Sequence, residues 1–182
     1  IMYKNIYLSI FILLFLISCA QKEIKKTEIL EKSLELQVLE AYEEGMKALN
    51  SNDVLYAAKK FNETEILFPQ SEWAPKSSLM AAYAYYKQDY YYDSVEELKR
   101  FLEVYPNHKF ISYAYYLLGV SYYEQIVDEK KDLQSILNAK ETFNILIRKY
   151  PNTEYALDAE FKLNMINDIL ASKEMYIGRY YF

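Results

Sequence analysis

A spacing that recurs three times along the chain dictates its architecture. Ala57-x3-Phe61-x7-Pro69 returns as Ser94-x3-Leu98-x7-Pro106 and again as Ala139-x3-Phe143-x7-Pro151. Proline lacks the amide proton that a helix interior needs, so each unit closes a helix. The small residue lets a second helix approach, and the large apolar residue four positions later fills the space between them. Only three glycines occur in the chain, which argues against hairpin-rich β architecture and against phosphate-cradling loops.

This is the second-helix pattern of a tetratricopeptide repeat, a helical hairpin that buries its core by stacking on its neighbours. The first helix of each hairpin should carry a small residue 12 positions earlier, and counting back gives Gly45 and Ala82. The same 37-residue period reaches Gly119 in the third unit, where the prolines are 45 residues apart. An insertion within 126–137, around Asp128-Glu129-Lys130-Lys131-Asp132, accounts for the extra length. The chain is predicted to be all-α, a tetratricopeptide-repeat α-solenoid of antiparallel helix pairs. Helices are expected near 38–50, 53–68, 73–88, 90–105, 111–126 and 136–150, with a long helix from 154. The stripe Leu98, Phe101, Leu102, Tyr105 and its counterpart Phe143, Leu146, Ile147, Tyr150 have helical spacing.

The N-terminal end has a different character. Lys4 precedes a 12-residue apolar run over 6–17, followed by Ser18-Cys19-Ala20. A charged start, a short apolar middle and small residues at the exit describe a secretory signal. A spanning helix needs about 20 apolar residues. The quartet Leu16-Ile17-Ser18-Cys19 resembles the lipobox of bacterial lipoproteins, and Cys19 is the only cysteine. The resemblance implies cleavage before Cys19, a diacylglycerol on its sulfur and an acyl chain on its new amino group. Each buried methylene contributes about 0.8 kcal/mol, so several chains hold where one holds only marginally. Ala20, rather than an aspartate, follows the cysteine. In that family this points to the periplasmic face of the outer membrane. The domain reading is a signal peptide over 1–18, a polar lipidated tether over 19–37 and the solenoid over 38–182, about three and a half repeats.

Three further stretches make the likeness more specific. Pro69-Gln70-Ser71-Glu72-Trp73-Ala74-Pro75 runs into Ala82-Tyr83-Ala84-Tyr85-Tyr86-Lys87. Arg100-Phe101-Leu102 and Pro106-Asn107-His108 precede Ile111-x-Tyr113-x-x-Tyr116-x-x-Gly119, and Arg148-Lys149-Tyr150-Pro151-Asn152-Thr153-Glu154-Tyr155 leads to Asp158-Ala159. In this order, behind a lipobox, they resemble the BamD family, lipoproteins of the β-barrel assembly machinery of Gram-negative outer membranes. The resemblance implies an adaptor that receives unfolded outer-membrane proteins and docks the periplasmic domains of BamA and other assembly subunits. The family has five repeats, so the chain is expected to be truncated at its C-terminal end, where BamA docks.

In such a solenoid the first helices line the concave face. By repeat position Tyr42, Met46, Leu79, Tyr83, Tyr86, Tyr116 and Tyr123 should project into a peptide-binding groove, with Lys87 placed to meet a terminal carboxylate. Tyrosine offers a large apolar face and a hydroxyl for backbone groups. Tyr85, Tyr105 and Tyr122 are assigned to packing between helices, Trp73 to an anchor at the start of the third helix, and His108 to fixing its turn. The acid pairs Glu43-Glu44 and Glu96-Glu97 are helix neighbours that point apart, so they read as solvated faces. One loop histidine and one cysteine supply neither a metal site nor a catalytic triad. No enzyme and no cofactor beyond the acyl groups on Cys19 are expected, and a formal net charge of −5 offers no footprint for nucleic acid. Two alternatives stay open at this point: a pilus-secretin assembly pilot, or the helical front end of a murein transglycosylase.

Overall fold

The computed structural model describes residues 33–126 and 133–181. Cys19, the signal-like segment, the tether as far as 32 and the insertion at 127–132 lie outside the described residues. Among the described residues seven helices follow one another: α1 (Leu34–Asn50), α2 (Val54–Leu67), α3 (Trp73–Lys87), α4 (Tyr91–Val104), α5 (Ile111–Glu124), α6 (Leu133–Lys149) and α7 (Glu154–Tyr181). No helix among the described residues is long and apolar enough to cross a membrane.

The helix ends follow from local chemistry. Phe68 and Tyr105 precede prolines, which disfavours the helical region for them. Both leave it, with φ/ψ of −132/54 and −123/51, and α2 and α4 stop just before them. Between the two helices of the first and second hairpins the same turn is built twice, 37 residues apart. Asn52 and Asp89 take positive φ, 65° and 64°, a region that Asn and Asp enter more readily than most side chains. Around them Asp53 N–H donates to the Ala48 carbonyl at 2.9 Å and Tyr90 N–H to that of Tyr85 at 3.1 Å. These are the six-to-one bonds of Schellman motifs, which satisfy the orphan carbonyls at a helix end. α1 begins four residues earlier than expected. Ser33 caps it by accepting from Leu36 N–H at 3.4 Å, and its first turn is exposed, so no buried apolar pattern marks it.

Each helix packs on the next, and the backbones of the first helices α1, α3, α5 and α7 also meet one another. Among the described elements those of the second helices α2, α4 and α6 do not. The first helices therefore line the inside of the curve. Three apolar clusters run along the stack. Val54, Ala57, Phe61 and Ala81 form the first, Leu79, Ala82, Leu98 and Phe101 the second, and Ile136, Phe143, Leu146 and Ile166 the third. The repeat register is borne out at the atomic level. A Cβ on Gly45 would lie 2.7 Å from the Phe61 ring, and one on Gly119 would lie 2.5 Å from the Phe143 ring. Ala82 shares its cluster with Leu98.

A polar lock joins the first two hairpins. Arg100 donates to both carboxylate oxygens of Glu65, at 2.8 and 2.7 Å, to Ser78 Oγ at 3.0 Å and to Glu97. Tyr105 donates to Glu65 at 2.8 Å, and Asn62 to Glu97 at 3.0 Å. Glu65 is buried, and this saturation of its oxygens is what makes its burial tolerable. Glu97 is thus an engaged partner, which corrects its reading as a merely solvated face.

Candidate functional site

The inside of the curve carries a cleft of about 450 Å³ lined by Tyr42, Trp73, Lys76, Leu79, Met80, Phe110, Tyr113 and Tyr155. Helices α1, α3, α5 and α7 each contribute, as does Phe110 just ahead of α5. No single repeat could build it. Tyr42 packs on Trp73 with ring centroids 4.8 Å apart and on buried Phe61 at 5.4 Å. Tyr155 packs on Tyr113 at 5.4 Å and on Tyr116 at 5.5 Å. Lys76 holds its ammonium 4.5 Å from the Trp73 ring, a cation–π contact that keeps the charge at the cleft surface.

The phenols here are held neutral. Burial pushes the Tyr113 hydroxyl up to about 12, helped by the neighbouring Tyr83, Tyr155 and Tyr86. Burial likewise raises Tyr42. Tyr116 is raised by burial and then by its 2.7 Å hydrogen bond to Asp158. At one end His108 sets the turn into α5: its Nδ1 accepts from Phe110 N–H at 3.4 Å, and its ring meets Phe110 edge-on at 5.3 Å. Burial, then Lys109 and Lys76, lower its pKa. The cleft is therefore an apolar, aromatic trough with hydroxyl donors and one cationic wall. Such a surface suits an extended chain bearing apolar and aromatic side chains.

Of the residues expected in the groove, Tyr42 and Leu79 line the cleft. Tyr83 and Tyr86 sit farther along α3, half-buried against the core clusters, and both adjoin Tyr113 electrostatically. Met46 packs on the first cluster, and Tyr116 and Tyr123 on the third. Lys87 is exposed at the end of α3. Tyr85, Tyr105 and Tyr122 are half-buried packing residues, as expected. Trp73 does more than anchor α3, since it forms a wall of the cleft. Lys76, Met80, Phe110, Tyr113 and Tyr155 were not anticipated. Trp73, Lys76 and Met80 recur at helical spacing, and that periodicity was the available signal.

Comparison with known proteins places the chain. A family model described as an outer membrane lipoprotein, YfiO, matches residues 35–182. The chain belongs to this family. Proteins of the BamD family named outer membrane protein assembly factor BamD are similar to it. One from Caulobacter vibrioides is 39% identical over 163 residues, covering 90% of this chain and 52% of its own length. One from Rickettsia prowazekii is 38% identical over 140 residues, covering 77% and 56%, and one from Neisseria meningitidis is 31% identical over 189 residues, covering 98% and 70%. The chain thus spans about half the length of the first two BamD relatives. Among solved structures, the first TPR domain of human RPAP3 superposes with a TM-score of 0.56 at 20% identity, covering 75% of this chain and 94% of that one. That likeness concerns the fold alone. Membership of the BamD family decides against the secretin pilot and the transglycosylase front end.

Proposed function

We propose that this chain is a lipid-anchored scaffold of the outer-membrane β-barrel assembly complex and that its aromatic cleft holds segments of unfolded outer-membrane proteins before insertion. Cys19 carries the diacylglycerol and acyl chains, and the anchor places the solenoid on the periplasmic face of the outer membrane. BamA and the other subunits are its standing partners, and the unfolded proteins are its transient ones. It works by binding energy, with no bond made or broken. The single observation that carries this reading is the cleft built jointly by α1, α3, α5 and α7, with aromatic side chains from all four regions turned into one trough. The assembly-factor names of its relatives support the same reading.

A pull-down from detergent-solubilised outer membranes with the tagged, lipidated protein, extended to its natural stop codon, tests it. Recovery of BamA together with unfolded barrel proteins is expected. Replacing Tyr113 and Tyr155 with Ala should lose the barrel proteins while BamA remains. Recovery of neither would refute the assignment, as would barrel proteins retained unchanged by the double variant.

A further inference from the structure

The cleft has a neighbour. A second hollow, about 610 Å³, is lined by the start of α1 (Leu34, Glu35, Val38), the α2–α3 connection and Glu72, and Trp73 is common to both. Leu34, Val38 and Tyr42 follow one another at four-residue spacing along one face of α1, so a single helix face passes from one hollow to the other. The two hollows are therefore neighbours along α1, with the packed Tyr42 and Trp73 rings where they meet. Their charges are opposite. Among the described residues the only charged side chain lining the cleft is Lys76, and no carboxylate pairs with it. Lys109 stands close by, with its ammonium 5.1 Å from the Phe110 ring. Beyond Trp73 the charged lining is Glu35 and Glu72.

Resting on the peptide-holding reading above, we propose that Lys76 is a specificity residue, seating an acidic side chain that lies within an extended apolar segment running through the cleft. The carboxylate is an internal one because a chain end at Lys76, beside Trp73, would also face Glu35 and Glu72 of the neighbouring hollow. Aspartate or glutamate flanked by aromatic residues is the motif selected. The ammonium already stands against Trp73, so little ordering is needed when the carboxylate arrives.

Trp73 is the only tryptophan and lines the cleft, so its fluorescence reports occupancy directly. The probes are tryptophan-free peptides of alternating Phe, Val and Thr with a central Asp or Asn, each made as the C-terminal acid and the C-terminal amide, titrated into the full chain in detergent. The Asp peptides should bind about fivefold tighter than the Asn peptides, with no difference between acid and amide. Lys76→Met should erase that ratio while leaving the Asn peptides within about twofold, and Lys76→Arg should keep it. Equal binding of the Asp and Asn peptides overturns the inference, as does a ratio that survives Lys76→Met or an effect confined to the terminal carboxylate. In these cases the peptide-holding reading stands. If none of the peptides binds, both fall.

Discussion

Replacing Gly119 with Ala tests the packing logic on which the cleft rests. An added methyl would lie 2.5 Å from Phe143 Cε1, 2.7 Å from Cδ1 and 3.0 Å from Cζ. Carbon atoms in contact prefer about 3.5–4.0 Å, so the ring must yield by roughly 1 Å. Phe143 is fully buried in the third cluster, which leaves its ring little room to move. Overpacking of this kind costs about 1–3 kcal/mol. The gain from replacing Gly by Ala inside a helix, about 1 kcal/mol, offsets part of it. The net loss is about 0–2 kcal/mol, which lowers Tm by up to roughly 8 °C for a domain of this size. Gly178 supplies the control, because an added Cβ there meets nothing within 4 Å. Gly178→Ala should leave Tm unchanged or raise it by up to about 4 °C. Thermal unfolding followed by circular dichroism reads both, and Gly119→Ala combined with Phe143→Leu should recover part of the loss. If Gly119→Ala were as stable as Gly178→Ala, the helix-contact reading of Gly119 would be refuted.

Three other perturbations have definite signs. Arg100→Met strands the buried Glu65; because Arg100 itself is 40% exposed, the loss should be about 1–2 kcal/mol rather than the 3–5 of a fully buried pair, measured as a shift of the urea midpoint. His108 has a lowered pKa in the fold, from burial first and then Lys109 and Lys76, so the stability it contributes is present above the unfolded value near 6.5 and is lost as pH falls through the folded one. His108→Gln should flatten that acid limb, and an unchanged limb would exclude the mechanism. Tyr113, pushed up to about 12, contributes stability that is complete below pH 10 and lost as pH rises towards 12. Tyr113→Phe should remove this part of the alkaline unfolding, and its late-titrating phenol should vanish from the tyrosinate absorbance curve.

The proline-bounded units made the helix pairs legible in the sequence, because Pro69, Pro106 and Pro151 act on the backbone wherever they stand. Gly45 and Gly119 were legible for a related reason: only a missing side chain admits Phe61 and Phe143 so closely. The repeat register also identified which helices face inward. It did not identify which turn of each helix faces the gap. That depends on how neighbouring helices cross, and the trough opens at the N-terminal turns of α3, α5 and α7, ahead of Tyr83 and Tyr86. Trp73 therefore looked like an anchor, and Tyr113 and Tyr155 entered only through the family likeness, not as groove residues. The Glu65–Arg100 lock was invisible for another reason, since its partners are 35 residues apart and no local period links them.

The most direct test of the cleft is capture in living cells. A photo-cross-linking phenylalanine analogue at position 113, inside the trough, is compared with the same group at position 92, where the native tyrosine is 78% exposed on α4. Position 113 should give adducts with unfolded outer-membrane proteins that accumulate when insertion is blocked, and position 92 should not. Adducts of equal yield at both positions, or none with barrel proteins at 113, would contradict the account.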